Sequence, residues 1–259
     1  MTTPNHRLQI SLTMAALALG FACSASSRDW RITAGPLLEY GSSFPGANSR
    51  SVAPGIFLDV HDAGARARPE TLDAARIEWF DEKNYQIGFA FNVRQGRSRS
   101  DITDADYAGL PKIDTTLELG AFVLRRFGQV EIGVDVLQGV NGHDGLLISS
   151  ELAYESSREA SFRWRVAAVA NYANSEFSDA YFSTAGVSRR GIAIANFTAG
   201  SGLRDVGVSA AAFYDLSDAW VWVLRARVQN YVGDAADSSL IKLGRELETS
   251  VGLGVAYTF

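Results

Sequence analysis

Apolar side chains in this sequence recur at every second position, and that alternation limits the fold more than any other feature. Tyr85, Ile87, Phe89, Phe91 and Val93 alternate with Gln86, Gly88, Ala90, Asn92 and Arg94, and Val130, Ile132, Val134 and Val136 alternate with Gln129, Glu131, Gly133 and Asp135. A period of two sends successive side chains to opposite faces of an extended chain, so each run reads as a strand with one apolar face and one polar or small face. The same holds for Phe162, Trp164, Val166, Ala168, Ala170 and Tyr172 against Arg163, Arg165 and Asn171, and for Trp220, Trp222, Leu224, Ala226 and Val228 against Arg225, Arg227 and Gln229. Several runs are about ten residues long, near the ~9–11 that a tilted strand needs to cross a bilayer, whereas no stretch beyond residue 28 approaches the ~20 apolar residues of a membrane helix.

Strands of a soluble sandwich or lipocalin-like barrel alternate too. Two features favour a membrane barrel. Aromatics on the apolar face gather at strand ends, at Trp79, Phe80, Tyr85, Tyr172, Trp220, Trp222, Tyr231 and Phe259, where an interfacial girdle stands. The opposite face carries charge in mid-strand, at Asp114, Glu118, Glu131, Asp135, Glu151, Arg163, Arg165, Arg225 and Arg227. That pattern suits an apolar outside in lipid and a polar lumen. The expected fold is therefore all-β, a transmembrane antiparallel up-and-down barrel with an even number of strands, about ten to twelve.

The two ends of the chain agree with export. His6 and Arg7 precede an apolar run over 8–22, followed by the small residues Cys23, Ser24, Ala25 and Ser26. This reads as a secretory signal spanning 1–25 and cleaved near Ala25, leaving 26–259 as one barrel domain. A lipoprotein signal acylating Cys23 is the rival reading, with Gly20 standing where a lipobox has an aliphatic residue. At the other end Val251, Leu253, Val255, Tyr257 and Phe259 share one face up to the last residue. Such a strand resembles the terminal strand of Gram-negative outer-membrane proteins, which the barrel-assembly machinery reads. The expected location is the cell outer membrane, with its lipid and that machinery as partners. The net charge of −5, spread along the chain, gives no footprint for nucleic acid.

Connections alternate in length. Short polar turns occur at 81–84, 125–128, 156–160 and 215–218, and longer excursions at 95–112, 139–145, 173–202 and 233–246. That rhythm belongs to periplasmic turns and extracellular loops, and it puts the C-terminus in the periplasm. Residues 30–48 read either as a first strand or as a periplasmic lead-in, and 191–199 as loop or strand, so ten strands and twelve both remain open.

Several segments resemble the MipA/OmpV (MltA-interacting protein) family. They are Asn230-Tyr231-Val232-Gly233-Asp234-Ala235-Ala236-Asp237-Ser238-Ser239 ahead of a terminal Val255-Ala256-Tyr257-Thr258-Phe259, then Pro36-Leu37-Leu38-Glu39-Tyr40-Gly41-Ser42, Ser201-Gly202-Leu203, and Tyr214-Asp215-Leu216-Ser217-Asp218-Ala219-Trp220. The family often has Pro where this chain has Ser239, and the middle third matches only in strand rhythm. The resemblance implies a non-enzymatic outer-membrane scaffold whose partners are a lytic transglycosylase and a murein synthase. Adhesion through external loops and a narrow porin-like channel are the alternatives.

Lumen charges come in blocks, acids from three successive strands and Arg163 and Arg165 from the next, with Arg225 and Arg227 nearer the C-terminal seam. In a narrow barrel they are expected to pair across the interior and close it; the rival is a water-filled constriction with opposed charged walls. Signals for catalysis are weak. Beyond the signal only His61 and His143 remain, both among turn-like residues; Gly200-Ser201-Gly202 is a loop triplet and not a nucleophile elbow, and no zinc motif occurs. Asp101, Asp104 and Asp106 superficially resemble a calcium loop without its spacing, and Asp234 and Asp237 read as a loop tether. No catalytic residue, metal or cofactor is expected.

Overall fold

In a computed structural model, the structure describes residues 30–62, 74–82, 84–98, 102, 107–157 and 159–259. Eleven long strands close into a barrel. They are β1 (Trp30–Ser42), β2 (Arg50–Asp62), β3 (Ala75–Glu82), β4 (Tyr85–Arg94), β5 (Thr116–Phe127), β6 (Val130–Gly139), β7 (Leu146–Glu155), β8 (Phe162–Ala173), β11 (Gly202–Asp215), β12 (Trp220–Tyr231) and β13 (Leu247–Thr258). A small hairpin, β9 (Ser188–Arg189) and β10 (Ile192–Ala193), stands apart, so 191–199 adds no spanning strand. Among the described residues three short helices, α1 (Ser175–Phe182), α2 (Gly233–Asp237) and α3 (Ser239–Leu243), all lie in the long connections.

The count of eleven corrects the expectation of an even number. A closed ring of strands that simply alternate in direction has even parity, so an odd ring must contain a parallel pair. Here it is β2 with β3, joined by a single pairing, Val60 with Ile77, while the other neighbours are antiparallel. Residues 30–42 form a full strand paired on both sides, with β2 and with β13. His61 is placed in β2 and not in a turn, in register with Arg31.

Side-chain distribution is inverted relative to a soluble domain. Leu38, Val52, Trp79, Phe89, Leu152, Val208 and Leu253 are exposed on the outer wall, and Trp79 is 75% exposed. Glu118, Glu131, Asp135, Glu151, Arg163 and Arg165 are buried inside. Among the described residues no helix is long and apolar enough to cross a membrane, and the strands do the crossing. An apolar belt facing lipid lets the bilayer take the place of a core, so the interior can be polar.

The interior has layers. At the end carrying the short turns, Leu37, Phe57, Phe213, Val221, Val223 and Ala256 form an apolar floor, with Phe57 and Phe213 packed edge to face at 5.1 Å. Charged groups fill the middle. At the other end the long connections fold inward as a cap, in which Phe177, Tyr181, Phe182, Tyr231, Ala235 and Ile241 share one cluster. A second cluster joins Phe44, Tyr107, Leu110, Val187 and Leu240.

Candidate functional site

The lumen is the candidate site, because its charges are withdrawn from water and organised. Arg165 on β8 donates from Nη1 to Glu131 on β6, and from Nη2 to Glu151 Oε1 on β7 at 2.7 Å. Glu131 Oε1 also accepts from Arg126 Nε at 2.7 Å. Arg76 on β3 reaches Glu151 Oε1 at 3.3 Å and Asp135 Oδ1 at 2.9 Å. The groups thus form an unbroken run, Arg126 to Glu131 to Arg165 to Glu151 to Arg76 to Asp135, in which positive and negative alternate. Each buried ion would be costly alone, and the alternation gives every one an opposite neighbour on at least one side. The β6–β7 register makes room for it: Gly133 faces Glu151, and a Cβ on Gly133 would stand 2.9 Å from Glu151 Oε1.

A second cluster links the lumen to the cap. Glu118 accepts from Arg94 Nε at 2.6 Å and from Asn92 Nδ2 at 2.8 Å, and His143 Nε2 lies 3.0 Å from its Oε1. His143 Nδ1 accepts the Gly145 amide at 3.2 Å, so Nε2 carries the proton and donates to Glu118. Phe177 and Tyr181 of α1 pack edge-on against the His143 ring at 4.9 and 5.6 Å. Above them Arg97, 1% exposed, donates to the carbonyls of Pro111, Tyr181 and Ala180 at 3.0, 3.3 and 3.1 Å. The last carbonyls of a helix lack partners within it, and a cation there is favourable. Burial pushes the Arg97 guanidinium down to about 10, still cationic at neutral pH, and burial likewise raises the Tyr181 phenol.

The stretch Gly233, Asp234, Ala235, Ala236, Asp237 and Ser238 knits the cap together. Gly233 turns the chain with φ 54° as it leaves β12. Asp234 Oδ2 accepts the Gly200 amide at 2.8 Å, Ala235 is buried in the aromatic cluster, and Ser238 Oγ donates to the Phe182 carbonyl at 2.5 Å while accepting the Leu240 amide at 3.2 Å. Asp237 meets Lys242 at 2.9 Å on the surface. These contacts join the connection after β8 to the one after β12.

Of the residues expected in the lumen network, Glu118, Glu131, Asp135, Glu151 and Arg165 lie in these two clusters. Asp114 does not: β5 begins at Thr116, and Asp114 is an exposed loop residue paired with Lys112. Arg163 sits near the floor and makes two 2.7 Å bonds to Asp215 on neighbouring β11, not to the acidic strands across the lumen. Arg225 and Arg227 are half-buried on the inner face of β12; Arg225 stacks on Phe57 at 5.6 Å and Arg227 Nε donates to Ser209 Oγ at 3.1 Å. Val251, Leu253, Val255 and Tyr257 share the outer face of β13 and exposed Phe259 directly follows it; Tyr257 packs against Trp220 and Phe259, each at 5.0 Å. Residues 1–25, expected to be a secretory signal, and Asp101, Asp104 and Asp106 fall outside the described residues.

The sequence pattern does not place Arg76, Arg94, Arg97, Arg126 or His143 among the lumen charges. The turn expected at 125–128 would hold Arg126, yet β5 runs on to Phe127 and turns the Arg126 side chain inward. Arg76 and Glu78 alternate on β3, a signal hidden by the shortness of that strand. Nothing local marks His143 or Arg97, whose partners are distant in sequence. Among the described residues no group of three or more His, Cys, Asp or Glu is arranged to hold a metal ion.

The family model for MltA-interacting protein MipA matches residues 21–259. The chain belongs to the MipA family. Membership and the apolar outer wall together place it in the outer membrane. No individual curated protein matches the sequence. Among solved structures, the N-terminal barrel of Pseudomonas aeruginosa OprF is similar at 15% identity over 69% of this chain and 98% of that one, with a TM-score of 0.32. Neisserial surface protein A follows at 10% identity, covering 88% and 95%, with a TM-score of 0.29. Pseudomonas aeruginosa OprG stands at 9% identity, covering 90% and 97%, with a TM-score of 0.26. Likenesses this loose carry no argument about the function of this MipA-family barrel.

Proposed function

We propose that this MipA-family protein is a non-enzymatic scaffold whose barrel anchors it in the outer membrane while its rims do the binding. One observation carries the reading: the alternating charge run from Arg126 to Asp135 fills the middle of the barrel between an apolar floor and an aromatic cap, which leaves the rims as the surfaces free to act. Short turns at one end and long connections at the other orient the barrel with its C-terminus and turns in the periplasm. The turn rim presents Glu159, Leu216, Ser217 and Asp218 to solvent. The family's name supports a murein lytic transglycosylase as partner, and a murein synthase is the second component of such a scaffold. The barrel-assembly machinery acts earlier, on β13 with its outward Tyr257 and Phe259.

The test is co-purification of tagged protein with a lytic transglycosylase from outer membranes, comparing wild type with the double substitution Glu159→Lys, Asp218→Lys. The expected result is at least a several-fold loss of captured enzyme with the folded barrel unchanged. Equal capture by both proteins would exclude the turn rim as the docking surface.

A further inference from the structure

The outer face of β5 runs Leu119, Ala121, Val123, Arg125 and Phe127, all exposed, and Arg125 is the one ion in it. Beyond Arg125 the strand has only Arg126 and Phe127 before the turn at Gly128, so the charge stands at the turn end of the lipid-facing wall, level with Tyr85 of β4 and Ile132 of β6. Two rings bracket its guanidinium: Cζ lies 4.9 Å from the centre of the Tyr85 ring and 4.6 Å from that of Phe127. Among the described residues no group accepts a hydrogen bond from the Arg125 side chain and no carboxylate pairs with it. The next residue is its opposite, since Arg126 turns inward to Glu131 at 2.7 Å.

We propose that Arg125, held between Tyr85 and Phe127, binds the phosphate of an anionic glycerophospholipid, phosphatidylglycerol, in the periplasmic leaflet. The inference rests on the orientation given above, with the turns toward the periplasm, and not on the scaffold role. A charge on the lipid face is costly unless it reaches a partner at the interface, and the protein supplies no acceptor here, so the phosphodiester layer is the nearest source of one. Geometry fits the same anion. A guanidinium presents its donors as a planar fork that matches two phosphate oxygens, and rings stacked on it leave the fork's edges to make that bidentate bond. Net charge selects among headgroups: a zwitterionic lipid brings its own ammonium, which competes with Arg125 for the phosphate, whereas phosphatidylglycerol does not.

The experiment is native mass spectrometry of refolded full-length mature protein, offered phosphatidylglycerol and phosphatidylethanolamine of matched chains in equal amounts. Lipid adducts are read without a transglycosylase, so their loss and a failed co-purification are separate results. Wild type is expected to retain phosphatidylglycerol over phosphatidylethanolamine, and Arg125→Leu to lower the phosphatidylglycerol adduct about tenfold or more, as the loss of a charge-assisted bond requires. Arg50→Leu removes another exposed arginine, stacked on Tyr40 at the opposite end of the barrel, and should leave the adduct unchanged. Equal retention by wild type and Arg125→Leu, an equal loss in Arg50→Leu, or no preference between the two lipids overturns the proposal. Purified lipid A displacing phosphatidylglycerol from Arg125 would assign the site to the outer leaflet and overturn it as well. Should Arg125→Leu fail to give a heat-modifiable barrel, Arg125→Gln takes its place in the same comparison.

Discussion

Arg165 is a cation without solvent contact, held between Glu131 and Glu151, with Glu155 Oε2 at 3.8 Å. Its removal leaves carboxylates buried with one guanidinium fewer, a change that costs about 3–5 kcal/mol when one partner of a buried pair is deleted. Arg165→Met is therefore expected to lower the unfolding free energy by that order, measured by urea titration of the refolded barrel. Adding Glu151→Gln alone in the same chain should recover part of the loss, because one carboxylate then goes with the guanidinium while Glu131 keeps Arg126 and Asp135 keeps Arg76. An Arg165→Met barrel as stable as wild type would show that the alternating run does not hold the interior. The adjacent Gly133 fits the same picture, since any side chain there would meet Glu151.

At the scale of elements the cap is the part most open to perturbation. Its contacts to the barrel pass through a few polar joints, of which Arg97 is the most heavily bonded, with three carbonyl acceptors. Bonds to a charged group are worth about 1.5–3 kcal/mol each, so Arg97→Met should loosen α1 by enough to speed protease cleavage in the 183–201 connection roughly tenfold or more, while the barrel itself keeps its heat-modifiable mobility on a gel. Unchanged cleavage would mean that the aromatic clusters alone fix the cap. The elements also show what was legible in advance. A two-residue period is local information, so β4, β6, β8, β12 and β13 and the inward placement of Glu131, Asp135, Glu151 and Arg165 can be read along single strands. The cap is not local: α1 spans eight residues, too few for a strong helical period, and its role depends on His143, Glu118 and Arg97 meeting across the barrel. Asp114 misleads for a similar reason, because apolar alternation does not say where the ladder starts, two residues later at Thr116.

For the whole molecule, parity was the feature least visible in the sequence. Strand direction is set by connections, and β2 and β3 run the same way with one pairing between them, Val60 with Ile77. That seam is the thinnest part of the wall, yet Arg76 of β3 ties it inward to Asp135 and Glu151 on β6 and β7. The ion pairs thus brace the barrel across its lumen as well as filling it. A filled lumen, closed below by Phe57 and Phe213 and above by Phe177 and Tyr181, is the central claim, because it moves function from transport to the rims. Single-channel recording of the refolded mature protein in a planar bilayer tests it most directly, with gel heat-modifiability showing that the barrel has formed. The account predicts a folded, silent barrel, whereas a steady, salt-dependent current altered by Arg165→Met would contradict it.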